Sequence, residues 1–148
     1  MIKYPKSREL IDIFLSGVNE CFTAIEKSEV LRFIFNDFKY VAYFKCVSYG
    51  GTPYPLNTTR AQLPQRDEFD KIKMDERFLF IGYDVDNDVF VCWDPIKAKS
   101  RLNKKSYVSF FCRKNIQDSV TIGNVIEARL TNGDVYVLFK KYDIPLFF

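Results

Sequence analysis

The stretch FLFIGYDVDNDVFVCWDPIKAKSRLNKKSYVSFFCR, residues 78–113, decides how the rest of this chain is read. Two apolar runs, Phe78–Tyr83 and Val89–Trp93, flank Asp84-Val85-Asp86-Asn87-Asp88, whose Asp and Asn side chains suit a tight turn, so the first half predicts a β-hairpin. Pro95 stops the second strand. Residues 96–105 (IKAKSRLNKK) then read as a short basic helix or loop, and Tyr107–Cys112 as a further strand. Charge is concentrated here. Between Trp93 and Lys114, the cations Lys97, Lys99, Arg101, Lys104, Lys105, Arg113 and Lys114 stand against the single acid Asp94, a net +6 in a protein whose total is +3. The remainder sums to −3, so positive charge gathered beside a hairpin points to an anionic partner.

Upstream, residues 39–48 (KYVAYFKCVS) predict a strand that is apolar on both parities and so buried on both faces. Residues 49–58 hold Gly50, Gly51, Pro53 and Pro55 and read as a loop. Thr59–Arg66 predicts a short strand stopped by Pro64, and residues 67–77 a helical turn or irregular crossing anchored by Phe69 and Ile72. At the N-terminus, Leu10, Ile11, Phe14, Leu15 and Val18 share one helical face over residues 7–18, with Ser7 as N-cap. Residues 19–37 suit a second helix, although Phe33–Phe35 also fits the opening of a strand. Downstream, Val125–Leu130 and Asp134–Lys140 predict strands joined by an Asn132-Gly133 turn, followed by a tail, YDIPLFF, of exposed aromatics. The pattern has no βαβ alternation and no repeat. It predicts one α+β, mostly β domain over 1–148, a partly open antiparallel pseudobarrel of six or seven strands with one or two flanking N-terminal helices.

Composition narrows the chemistry. The 148 residues include 15 Phe, 9 Tyr, 1 Trp, 4 Cys and no His. Without histidine, Ser-His-Asp and Cys-His catalysis and a His general base are excluded. Cys21, Cys46, Cys92 and Cys112 form no C-x-x-C pair, so no zinc site is expected, and three of them sit in apolar runs where a thiol acts as a small hydrophobe. Lys3, Tyr4, Pro5 and Lys6 follow Met1 with no apolar leader, and no run of 18 apolar residues exists. These features predict a reduced cytoplasmic protein without a membrane span, cofactor or metal.

Other motifs fall short of a site. The Asp84–Asp88 run resembles the start of a calcium loop, but Val89 and Pro95 stand where that loop needs Gly and Glu. Gly50-Gly51 has no Lys-Ser/Thr behind it to cradle phosphate. Asp70 with Lys71 and Lys73, or Asp94 with Lys97, lack the spacing of a metal-dependent nuclease core, so no enzyme is expected. The basic segment remains. Lys97, Lys99, Arg101, Lys104 and Lys105 alternate with Ser100, Asn103 and Ser106, suiting duplex DNA: cations hold phosphates while Asn, Gln and Arg reach base edges. Arg60, Gln62, Gln65 and Arg66 form a second such group, and Trp93 and Tyr107 are the aromatics placed for base stacking.

RAQLPQRDEF (60–69), the hairpin 78–95, K-x-K-x-R-L-N (97–103) and VSFFCR (108–113) together resemble a DNA-recognition domain of bacterial restriction endonucleases and related defence proteins. The resemblance implies a pseudobarrel similar to the effector domain of EcoRII-type enzymes and to plant transcription-factor DNA-binding domains. Loops on its open side would enter the major groove. Arg60 and Gln62 would lie on one arm, with Trp93, Lys97, Lys99, Arg101 and Asn103 on the other. A separate or fused nuclease module would cut. The expected function is sequence-specific double-stranded DNA binding in a restriction-modification or related defence system. Arg60, Gln62 and Asn103 would read bases; Lys97, Lys99, Arg101, Lys104 and Lys105 would hold phosphates; Gln65, Arg66 and Arg113 would complete the surface. The alternatives are an RNA-binding or modified-base-reading barrel, or a protein-interaction module with a basic face.

Overall fold

A computed structural model describes residues 4–148. After α1 (Ser7–Leu15) come β1 (Phe22–Lys27), β2 (Leu31–Phe35), β3 (Phe38–Cys46), β4 (Ser48–Tyr49) and β5 (Thr58–Pro64). A 3-10 turn (Asp67–Lys71) leads to β6 (Glu76–Asp84), β7 (Val89–Trp93), α2 (Pro95–Ser100), β8 (Tyr107–Arg113) and α3 (Lys114–Ser119). The chain closes with β9 (Ile126–Arg129), β10 (Val135–Lys140) and α4 (Ile144–Phe147). The α+β, mostly β class holds.

Ten strands form two sheets, not six or seven strands in one. The larger runs β1-β2-β3-β6-β7-β10-β9, and the smaller β4-β5-β8. Neither closes into a barrel. The pairing is also mixed, because β3 and β6 run parallel from Lys39↔Glu76 to Cys46↔Tyr83.

The central strands of the large sheet are apolar on both parities because both of their faces are covered. One face carries Val41, Tyr43, Phe78, Phe80, Val91, Trp93, Tyr136 and Leu138 against Ala61, Leu63, Phe110 and Cys112 of the small sheet. The other carries Phe44, Leu79, Ile81, Phe90, Cys92 and Phe139 against Leu10, Ile11 and Phe14 of α1 and Ile144 of α4. Gly82 lies where only a hydrogen fits. A Cβ there would sit 2.7 Å from Val47 and 2.9 Å from the Trp93 ring.

Two expectations fail on the second core. Residues 19–37 form the β1–β2 hairpin and not a helix: Leu31, Phe33 and Phe35 alternate inward at period two. Asn36 and Asp37, at φ 49° and 67°, make the two-residue turn into β3, with both residues in the left-handed region that such hairpin turns require. The closing aromatics of the tail are also packed, although Tyr142 and Leu146 stay exposed. Ile144 is fully buried, and the Phe148 ring lies edge-on to Phe14, Phe22, Phe33 and Tyr40, plugging the core.

The thiols are free among the described residues. Cys92 and Cys112 are buried, and burial pushes Cys46 up to about 11 and Cys112 to about 12, so these thiols stay protonated and unreactive at neutral pH. No helix of the described residues is long and apolar enough to cross a membrane.

Candidate nucleic-acid interface

The small sheet is two-sided. Along β8, Phe110 and Cys112 point into the core, so Tyr107, Ser109, Phe111 and Arg113 point out. Along β5, Ala61 and Leu63 point in, so Arg60 and Gln62 point out, opposite Phe111 and Ser109 respectively. Arg113 lies opposite Thr58, and its Nη1 donates to Thr58 Oγ1 at 3.0 Å. This outer face combines cations, amides and aromatic rings. Arg60, Gln62 and Arg113 are therefore brought together.

Trp93 is not part of it. The indole is 2% exposed, stacks on Phe80 at 5.2 Å, and donates from Nε1 to the Phe111 carbonyl at 2.9 Å. No base can reach it. Instead Trp93 fastens the small sheet to the large one. Tyr136 adds a second fastening, its hydroxyl accepting from the Arg113 amide at 3.2 Å.

The basic arm divides by role. Arg101 Nη1 and Nη2 donate to the two oxygens of Asp134 at 3.0 and 2.9 Å, a bidentate pair, while its guanidinium stands 5.1 Å from the Phe110 ring. Lys97 Nζ donates to the same carboxylate at 3.3 Å. The Arg101 hydrogen bonds, reinforced by both charges, hold Asp134 below the usual carboxylate range. Arg101 and Lys97 thus tie the arm to the turn before β10, sharing one carboxylate between two cations. Lys114 is likewise engaged, 2.8 Å from Asp118 and close to Asp84 and Asp86.

Asn103 has a different task from base reading. Its side chain accepts from the Arg66 amide at 2.9 Å and donates to the Arg66 carbonyl and to Asp70, while its φ of 55° is one that Asn tolerates. The arm is clasped on both sides, by Asp134 and by residue 66. What projects from the clasp is Lys104-Lys105. Both are exposed and make no ion pair among the described residues.

Three predicted residues lie elsewhere or apart. Arg66 borders a separate cleft with Tyr43, Lys45 and Glu29 beside the start of α1. Gln65 is exposed just past β5, its amide bonded to the Ser106 carbonyl at the foot of the arm. Lys99 leaves α2 in the other direction, toward an apolar groove of about 560 Å³ with Met74, Arg77, Ile96 and Phe147.

Residues missed by the sequence reading complete the surface. A groove of about 560 Å³ runs between the arm and β8, lined by Arg101, Lys104, Lys105, Tyr107, Ser109 and Phe111 together with Tyr54, Asn132 and the Arg101-paired Asp134. A second hollow of about 500 Å³ shares Tyr54, Phe111 and Asn132 and continues to Thr58 and Arg113. Tyr54 and Phe111 meet at 5.4 Å between ring centroids. The alternation in YVSFFCR carries the signal for Phe111, since only one of two adjacent phenylalanines faces the core. Nothing local marks Tyr54 or Asn132.

The acidic turn is structural. Asp84 Oδ2 accepts from Gln117 Nε2 at 2.9 Å and from Asn87 Nδ2 at 2.8 Å, and the buried Gln117 oxygen in turn meets Thr59 and Cys112 of the small sheet. Every polar atom of this network has a partner.

Residues 38–148 match the model of the family described as methylase-associated X1, beginning at the first residue of β3. The chain belongs to the methylase-associated X1 family. No curated protein and no solved structure matches it. Membership of this family places the chain in a restriction-modification context, the setting that residues 60–113 suggested.

Proposed function

We propose that this methylase-associated chain is the DNA-recognition module of its restriction-modification system, binding double-stranded DNA on the outer face of β5 and β8. The observation that carries the reading is the sorting of the cations. Lys97, Arg101 and Lys114 are paired with carboxylates, whereas Lys104, Lys105 and Arg60 make no ion pair among the described residues and lie around Phe111, the first two lining its groove and Arg60 opposite it on β5. Free cations are what phosphates neutralise with release of counterions. Arg60 and Gln62, adjacent on β5 and unengaged by other side chains among the described residues, are of the types that read guanine and adenine edges. Lys104 and Lys105 hold the backbone. The chain itself does not cut; a nuclease module, separate or fused, does so.

Selection from a random duplex pool, followed by fluorescence anisotropy of the selected duplex across a salt series, tests this. Replacing both Lys104 and Lys105 by Ala is expected to weaken all duplexes alike and to lower the slope of log K against log salt by about 2. Arg60→Ala is expected to erode preference for the selected site. If no duplex is enriched, or both variants act identically on every duplex, the assignment of roles is wrong.

A further inference from the structure

We infer that the trough along β8 takes unpaired nucleotides, so that the chain prefers DNA carrying unstacked bases over a perfect duplex. The inference rests on the DNA-binding reading and concerns the same surface. It starts from aromatic rings that duplex binding does not use. Tyr107 is 59% exposed and Tyr54 40%, and Phe111 lies half-buried between them. In a duplex the faces of the bases are covered by their neighbours, and only their edges are offered in the grooves. An exposed ring finds its natural partner in the face of a base, which is free only where pairing and stacking are broken.

The surroundings fit that partner. The rings line two joined hollows, of about 560 and 500 Å³, each within the range of roughly 300–1,000 Å³ usual for ligand sites. Cations flank the rings along the strand: Lys104 and Lys105 beside Tyr107, and Arg113 beyond Phe111. A line of aromatics between backbone-binding cations is the arrangement by which proteins hold unpaired strands. Polar groups at the join are available for base edges. Asn132 accepts the Asp134 amide with Oδ1 at 2.9 Å, which leaves its Nδ2 free to donate, and Ser109 stands across the groove.

The test uses the full chain and three fluorescein-labelled probes of one selected sequence: a perfect duplex, the same duplex with a central three-nucleotide gap, and single-stranded RNA. A 2-aminopurine in the gap reports stacking. The gapped duplex is expected to bind about 10-fold tighter than the perfect one, with quenching of the 2-aminopurine. Tyr107→Ser and Tyr54→Ser, both at exposed positions, are expected to abolish the 2-aminopurine quenching and to weaken binding of the gapped duplex at least about 5-fold more than binding of the perfect one. Equal affinity for gapped and perfect duplexes overturns the inference and leaves duplex recognition standing. A gap preference that survives both substitutions places the unpaired strand elsewhere and also overturns it. Tighter binding of the RNA overturns the assignment to DNA. Binding to none of the probes overturns the proposed function itself.

Discussion

The two sheets are built from similar residues and are used oppositely. In the large sheet the central strand β7, VFVCW, is buried at every position. In the small sheet β8, YVSFFCR, alternates, and only every second side chain reaches the core. The large sheet lies between two layers, α1 and α4 on one side and the small sheet on the other; the small sheet has one layer beneath it and solvent above. An aromatic residue in the first is therefore scaffold, and an aromatic residue on the outer face of the second is available to a ligand. Trp93 and Tyr107, both placed beside the basic arm by sequence, fall on opposite sides of this division.

If the division is right, damage to the large sheet should appear in stability, and damage to the outer face in binding. Trp93→Ala should have the largest effect. It removes a fully packed indole and the hydrogen bond to Phe111, and should lower unfolding free energy by about 3–5 kcal/mol in urea titration. A loss below about 1 kcal/mol would mean that Trp93 does not join the sheets. Gly82→Ala pushes a methyl group against the same ring and should cost about 1–3 kcal/mol by the same measurement.

Asp134→Asn comes next, at about 1–2 kcal/mol at neutral pH, because Arg101 and Lys97 lose their shared carboxylate. Its pH dependence sharpens the point. Hydrogen bonds from Arg101 hold the Asp134 carboxyl below its unfolded value near 3.9. The stability it contributes is complete above that value and is lost as pH falls through the folded one. The urea midpoint of the native chain should therefore fall more steeply than that of Asp134→Asn below about pH 4. Parallel curves would remove Asp134 from its role. The smallest expected effect on folding is that of the Lys104→Ala, Lys105→Ala double variant, within about 0.5 kcal/mol of the native chain despite the loss of DNA affinity proposed for it.

The hairpin, the strands flanking it and the Pro64 stop were legible because period and turn chemistry are local. Residues 19–37 were not. Phe22, Ile25, Val30, Phe33 and Ile34 satisfy a helical spacing by accident, and the Asn36-Asp37 turn lacks the glycine that usually announces such a hairpin. The basic arm was legible as a charged segment but not as a divided one. Whether Arg101 meets a phosphate or Asp134 depends on a residue 33 positions away, and whether Asn103 meets a base or the Arg66 backbone depends on one 37 away. Composition records the charge; only the fold records what neutralises it.

The parallel pairing of β3 with β6 has a consequence in time. Everything between Cys46 and Glu76, β5 included, is a crossover, and β5 pairs only with β4 and with β8, which lies beyond the β6–β7 hairpin and α2. Contacts so distant along the chain close slowly. On the ribosome, the outer face of the small sheet cannot assemble until Arg113 has emerged and the large sheet beneath it is in place. A nascent or truncated chain that ends before β8 carries Arg60 and Gln62 but no surface on which to present them.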